Sequence, residues 1–337
     1  MPLPALHPQQ AALDHLRRRR IVGASLMAMT ARTAVAQAPW PERPVRMLVG
    51  VPAGGGGDLI ARALAPALSA SFGRAFVVEN RPGAGGNIAA QAVAQATDGH
   101  TLGVVLGGPT TTARALNPAL AYDPARDFTA ISQVFRTGFV IAAHPSLPAT
   151  DLAGFIAHAR ANPGHLSYGS IGPGTVTHLA MEELKARHGL AIEHVTYRGF
   201  GPMTLDLAAG RIQAAFNTFA ESIAFLHDSR IRALAVTTAA RNRLLPEVQT
   251  VTEAGEPGAE CFGWTGIVAP AGFPPERARA IATAIRAAIA VPEGRANLDM
   301  QGTEFIGSTP EEFAALQVRE ADRWIAVIRR LGPRATD

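Results

Sequence analysis

A short apolar run that breaks on four glycines and resumes with helical spacing limits what this chain can become. Residues 45–49 are strand formers, Pro52-Ala53-Gly54-Gly55-Gly56-Gly57 is a tight loop, and Asp58-Leu59-Ile60-Ala61-Arg62 opens a helix. Glycines carry no Cβ, so the N–H groups of such a loop can close around an anion at the positive end of the helix that follows. The pattern then recurs. Residues 75–80 read as a second strand, 81–87 as a second glycine-rich turn entering an alanine-rich helix, and 101–106 as a continuous apolar strand ending in Gly107-Gly108-Pro109-Thr110. Three such units in a row predict a doubly wound α/β domain whose ligands sit beyond the carboxyl ends of the strands.

The construction begins again near Phe139. Thr150 or Asp151 caps a helix through 160, a strand follows over 166–170, and the loop Ile171-Gly172-Pro173-Gly174-Thr175 opens a helix over about 176–187. Further strands are expected at 193–197, 212–217 and 231–236, with a turn at 198–202 and a helix at 203–209. Thr309-Pro310-Glu311-Glu312 is a helix start with a capping box, ahead of an amphipathic helix expected to pack back onto the first domain. Pro66 falls inside the first helix, where it should cost about 3 kcal/mol or kink it.

Charge excludes one function class. The 337 residues carry a formal +4, but residues 1–36 hold Arg17, Arg18, Arg19, Arg20 and Arg32 against Asp14 alone, which leaves 26 basic and 26 acidic residues elsewhere. No basic surface for nucleic acid is implied. The leader itself has the order of a secretory signal: a basic block, the apolar residues 21–29, then small residues at Ala34-Val35-Ala36 and Ala36-Gln37-Ala38. Its apolar run is about half of the ~20 residues that span a membrane. General secretion and the twin-arginine route both fit, and cleavage is expected near Ala36 or Ala38. Cys261 stands alone and reads as a small buried apolar residue, and no metal-binding spacing occurs.

Three readings of the first glycine loop compete: a nucleotide site, an anion cradle, and a tight turn with no ligand. As a nucleotide site, with Glu79 on the ribose, it would need glycine or alanine five positions after a glycine with another glycine between, and no start among Gly54 to Gly57 gives that. A nucleotide-dependent oxidoreductase is therefore the weaker alternative. As an anion cradle it gains from the similar loops at 83–86 and 172–174, which can converge on one cleft. His178 lies in the first turn of its helix, where the dipole disfavours imidazolium, so it is either a neutral hydrogen-bonding group or a solvent-facing or core side chain without a role in binding. Arg198 follows a strand and precedes glycine. It is either a fork for a carboxylate or a solvated surface group, and Asn217 is similarly open. No nucleophile elbow or ordered triad is present.

Several stretches together resemble one family. Trp40-Pro41-Glu42-Arg43-Pro44-Val45-Arg46, the loop ending in Asp58, residues 78–87, Tyr122-Asp123-Pro124 with Asp127-Phe128, Leu234-Ala235-Val236-Thr237, residues 246–255 and Ala269-Pro270-Ala271-Gly272 are similar to the Bug-type extracytoplasmic solute receptors of tripartite tricarboxylate transport. The resemblance implies a two-lobed Venus flytrap of type II, each lobe a doubly wound, mostly parallel sheet flanked by helices. It places lobe 1 at 37–141 plus 262–337 and lobe 2 at 142–261. It implies a periplasmic, non-enzymatic, cofactor-free monomer that clamps a small carboxylate and delivers it to a membrane permease, or reports it to a sensor kinase. The ligand-binding positions it carries over are Ala53, Gly54, Gly55, Gly56, Gly57, Asp58, Gly86, Thr110, Ser170, Gly172, Gly174, Thr175, His178, Tyr197, Arg198, Gly199 and Asn217. The chain departs from the family pattern at Gly56-Gly57, where members carry two hydroxyl residues, at Pro173-Gly174-Thr175-Val176-Thr177 before His178, and at Asn217, where aspartate is usual.

Overall fold

The computed structural model describes residues 40–291 and 302–335. The expected leader and its cleavage positions lie outside the described residues. In chain order, β1 (Val45–Val49), α1 (Gly56–Phe72), β2 (Phe76–Asn80), α2 (Asn87–Ala94) and β3 (Thr101–Leu106) form the first strand–loop–helix run. Two short helices, α3 (Gly107–Thr111) and α4 (Ala113–Leu116), lead to the long strand β4 (Phe128–Thr137). A second run holds β5 (Phe139–Ala143), α5 (Leu152–Ala161), β6 (Leu166–Ser170), α6 (Val176–His188), β7 (Ile192–Thr196), α7 (Phe200–Ala208), β8 (Ala214–Thr218), α8 (Phe219–His227) and β9 (Arg232–Val236). The chain returns through β10 (Gly263–Pro270), α9 (Pro275–Ala290), β11 (Thr303–Phe305) and α10 (Pro310–Leu331).

Two sheets result, ordered β11-β4-β10-β3-β1-β2 and β7-β6-β8-β5-β9. The two-lobed α/β architecture is thus as expected, but the pairing within it is mixed rather than mostly parallel. β1 lies parallel to β2 and β3, and β6 lies parallel to β7 and β8. Helices return the chain between these strands, as parallel pairing requires. The strands next to the crossings between sheets run the other way: β10 is antiparallel to β3 and β4, and β5 is antiparallel to β8 and β9. All of β5 pairs in the second sheet, so the sheets part at Gly138.

Helix α1 turns Ile60, Ala61, Leu64 and Leu68 to the core and runs unbroken through Pro66. Pro66 is on the exposed face, where water can serve the carbonyl that loses its amide partner. The expected kink is therefore not needed.

Helix α10 corrects another expectation. Its capping box forms in full, Thr309 accepting from the Glu312 N–H and Glu312 accepting from the Thr309 N–H. Phe313 and Leu316 then pack with Leu48, Val105 and Trp264 of the first lobe. Further along, Trp324, Val327, Ile328 and Leu331 pack with Phe155, Tyr168 and Leu179 of the second. The helix joins both cores, with each buried side chain contributing about 1.5–3 kcal/mol.

Candidate functional site

A cleft of about 1400 Å³ is lined by both lobes. The first glycine loop forms part of its wall, and its shape follows from Asp58. That carboxylate is buried at 2 % exposure and accepts hydrogen bonds from the Gly54 N–H (2.9 Å), Arg62 Nε (3.0 Å) and Asn80 Nδ2 (2.9 Å). Burial pushes the Asp58 carboxyl up, but the bonds from Arg62, Gly54 and Asn80 outweigh it and hold the group below its usual range. Gly54, at φ +82°, takes a conformation that side chains resist. With the Gly55 N–H bonded to the Pro52 carbonyl (3.1 Å), the amides of Gly56 and Gly57 are the ones left at the start of α1.

The second lobe presents a matching helix start. Thr175 precedes α6 and spends its hydroxyl on the Gly172 carbonyl (2.6 Å), so the first-turn amides of Val176 and Thr177 have no side-chain cap. Gly172, Thr175, Val176 and Thr177 all line the cleft. Gly56 and Gly57 line it too, so two helix N-termini on different sheets open into one space. Each carries about half a positive charge. An anion between them would meet amides from both sides.

The loop before α6 also touches the segment that holds α3 and α4. The Thr112 hydroxyl donates to the Gly174 carbonyl at 3.1 Å. Gly174 sits at φ +75°, a conformation that side chains resist, and a Cβ there would also displace the tip of the Leu116 side chain.

The expected ligand-binding residues divide into two sets. Ala53, Gly54, Gly55, Gly56, Gly57, Gly86, Gly172, Thr175, Tyr197, Arg198 and Gly199 line the cleft. Asp58, Thr110, Ser170, Gly174, His178 and Asn217 stand behind it. Thr110 bonds back to the carbonyls of Leu106 and Gly107 (3.4 Å each). Ser170 Oγ lies 2.7 Å from His194 Nε2 and accepts from the Gly172 N–H (3.1 Å). Asn217 donates to Thr204 Oγ1 (2.7 Å) and accepts from the Thr218 N–H (3.0 Å).

His178 Nδ1 accepts from the Gly174 N–H at 3.2 Å. Burial first, then His194 and Lys185, push its imidazole down to about 3. It is neutral, as expected, although desolvation dominates and not the helix dipole. Its ring lies 4.5 Å from that of His194, which stacks on Tyr168 at 4.9 Å. These groups fix the loop from behind. Glu79, the ribose candidate of the nucleotide reading, is held by Arg81 at 2.6 Å and does not line the cleft.

Arg198 is exposed and forms no ion pair or hydrogen bond among the described residues, which leaves its guanidinium available to a ligand. Tyr197 donates to Asp206 Oδ2 at 3.0 Å, and burial and that carboxylate push its hydroxyl up to about 12.

Sequence reasoning missed the apolar wall, where Phe135, Phe139, Phe200 and Trp264 line the cleft, and it missed Glu221. Phe135, Phe139 and Trp264 flank the crossings between the sheets and Phe200 opens α7, so a search of the residues beside each crossing would have found three of the four. Among the described residues no group of acids, histidines and cysteine is placed to hold a metal ion, and no helix is long and apolar enough to cross a membrane.

Comparison with known proteins agrees with this geometry. Residues 60–332 match the model of the tripartite tricarboxylate transporter family receptor, TctC. A protein encoded in the tcbD-tcbE intergenic region of Pseudomonas sp. (strain P51) is 36% identical, the match covering 94% of this chain and 95% of the relative. The structure of Rpa4515 from R. palustris with adipate is similar at TM-score 0.80 and 36% identity, covering 87% of this chain and 98% of that one. MatC from Rhodopseudomonas palustris, with bound malate, gives TM-score 0.80 at 29% identity, covering 86% and 100%. The chain belongs to the TctC family of tripartite tricarboxylate transporter receptors, which are periplasmic solute-binding proteins and not enzymes.

Proposed function

We propose that the chain captures a small carboxylate between its lobes, and that a membrane permease of the tripartite type receives it. One observation carries this reading: the amides of Gly56–Gly57 and Val176–Thr177 open from different lobes onto the same cleft. A carboxylate there would accept from both helix starts in a space that closure dries, which strengthens each bond. Arg198, which has no ion pair among the described residues, is a further contact. The adipate and malate bound to two of its structural relatives are carboxylates of this size. Asp58, Ser170 and His178 act in this reading as supports of the loops. We assign residues 1–36 to an export signal, which fits the periplasmic setting of the family, and we place the hinge between lobes at Gly138.

Thermal unfolding of residues 37–337 against di- and tricarboxylates, aromatic acids and acidic amino acids tests the reading. A ligand at ~100 times its dissociation constant should add about 2.7 kcal/mol. No shift with any anion would overturn it.

A further inference from the structure

Glu221 occupies a position where a glutamate is ordinarily consumed. Thr218-x-x-Glu221 is the sequence of a capping box, in which the glutamate folds back onto the N–H of the capping residue. Only half of that box forms. Thr218 Oγ1 accepts from the Glu221 N–H (3.3 Å), but the Thr218 N–H is taken by Asn217 Oδ1 (3.0 Å). At Thr309 and Glu312 the same pattern closes completely. Asn217 thereby releases the Glu221 carboxylate, which is half-buried, lines the cleft and forms no hydrogen bond or ion pair among the described residues. Burial pushes that carboxyl up, the mark of a charge without a partner.

Topology places this carboxylate relative to the anion site. In the second sheet β6 lies between β7 and β8 and is parallel to both. The three loops at their carboxyl ends therefore stand side by side: Arg198 after β7, Gly172–Thr177 after β6, Glu221 after β8. Neighbouring strands are about 4.8 Å apart. The anion-binding amides are thus flanked by a guanidinium on one side and a lone carboxylate on the other. A second carboxylate of a ligand extending toward β8 would meet like charge in a partly dry space. A cation there would find its partner.

Resting on the carboxylate reading above, we propose that this cleft takes carboxylates carrying an ammonium group, the carboxylate on the amides of Gly56–Gly57 and Val176–Thr177 and the ammonium on Glu221. Titration calorimetry with 4-aminobutanoate, 6-aminohexanoate and 8-aminooctanoate, set against succinate, adipate and suberate, compares cation with anion at matched lengths. In the unaltered protein at least one amino acid should bind more tightly than its matched dicarboxylate. Glu221→Gln, which leaves the Thr218 cap intact, should weaken that amino acid roughly tenfold or more and tighten the dicarboxylate. Dicarboxylates binding more tightly at every length, with Glu221→Gln neutral toward both series, would overturn the inference while leaving the carboxylate receptor standing. If neither series binds, the inference also fails, and the wider anion panel judges the receptor reading separately.

Discussion

Gly56 is the first residue of α1, and the residue before it, Gly55, is extended at φ −71°, ψ 156°. Both facts favour proline at position 56, because proline is at home in the first helical position and its predecessor prefers extended backbone. Gly56→Pro therefore deletes one amide while sparing the helix, and it should weaken carboxylate binding far more than Gly56→Ser, which keeps the N–H. Equal dissociation constants for the two variants would remove Gly56 from the site. His178 makes a second prediction at this scale. Its folded pKa of about 3 lies below the ordinary 6.5, so between those values the unfolded chain binds a proton that the folded chain refuses. The neutral imidazole's contribution is complete above pH ~6.5 and is lost as pH falls toward 3, on the order of several kcal/mol in all. Urea unfolding at stepped pH should show this slope. His178→Gln, which can still accept from the Gly174 N–H, should flatten it.

Elements obey their sequence closely where a local rule decides them. The glycine loops, the Thr309 cap and the apolar strand 101–106 were legible because turn chemistry and periodicity act within a few residues. Pro66 shows the limit, since its cost depends on which side of the helix it takes. On the exposed side it still removes an amide bond, so Pro66→Ala should stabilise the protein by roughly 1–3 kcal/mol without changing carboxylate affinity. Denaturation midpoints would check both halves of that statement. The candidate site was half legible for a related reason. Loops that end strands were visible, whereas Asp58, Ser170 and Asn217 look like ligand contacts in sequence and are buried supports in space. Glu221 was hidden by its own local rule: a capping box was written in the sequence, and a competing side chain one residue before the cap took the bond.

At the scale of the whole molecule, the two lobes are joined where β4 runs into β5 at Gly138 and where the chain returns through Cys261 to β10. Thr237 ties these crossings together. Its hydroxyl accepts from the Phe139 N–H (2.8 Å) and donates to the Cys261 carbonyl (2.7 Å), and its backbone bonds to the same two residues (2.9 and 3.2 Å). Nothing in a lone threonine announces such a role, because it arises from segments more than twenty residues apart in sequence. Thr237 is buried at 1 % exposure, so water cannot replace its hydroxyl. Thr237→Val keeps the shape and strands one donor and one acceptor, at about 1–3 kcal/mol each. Thr237→Ser keeps the hydroxyl and should cost much less. Because α10 packs into both cores, calorimetry should show the loss as a downward shift of one transition and not as two separated ones. A valine variant as stable as the serine variant would mean that the crossings are held by their backbones alone. Two separated transitions would mean that α10 does not couple the lobes.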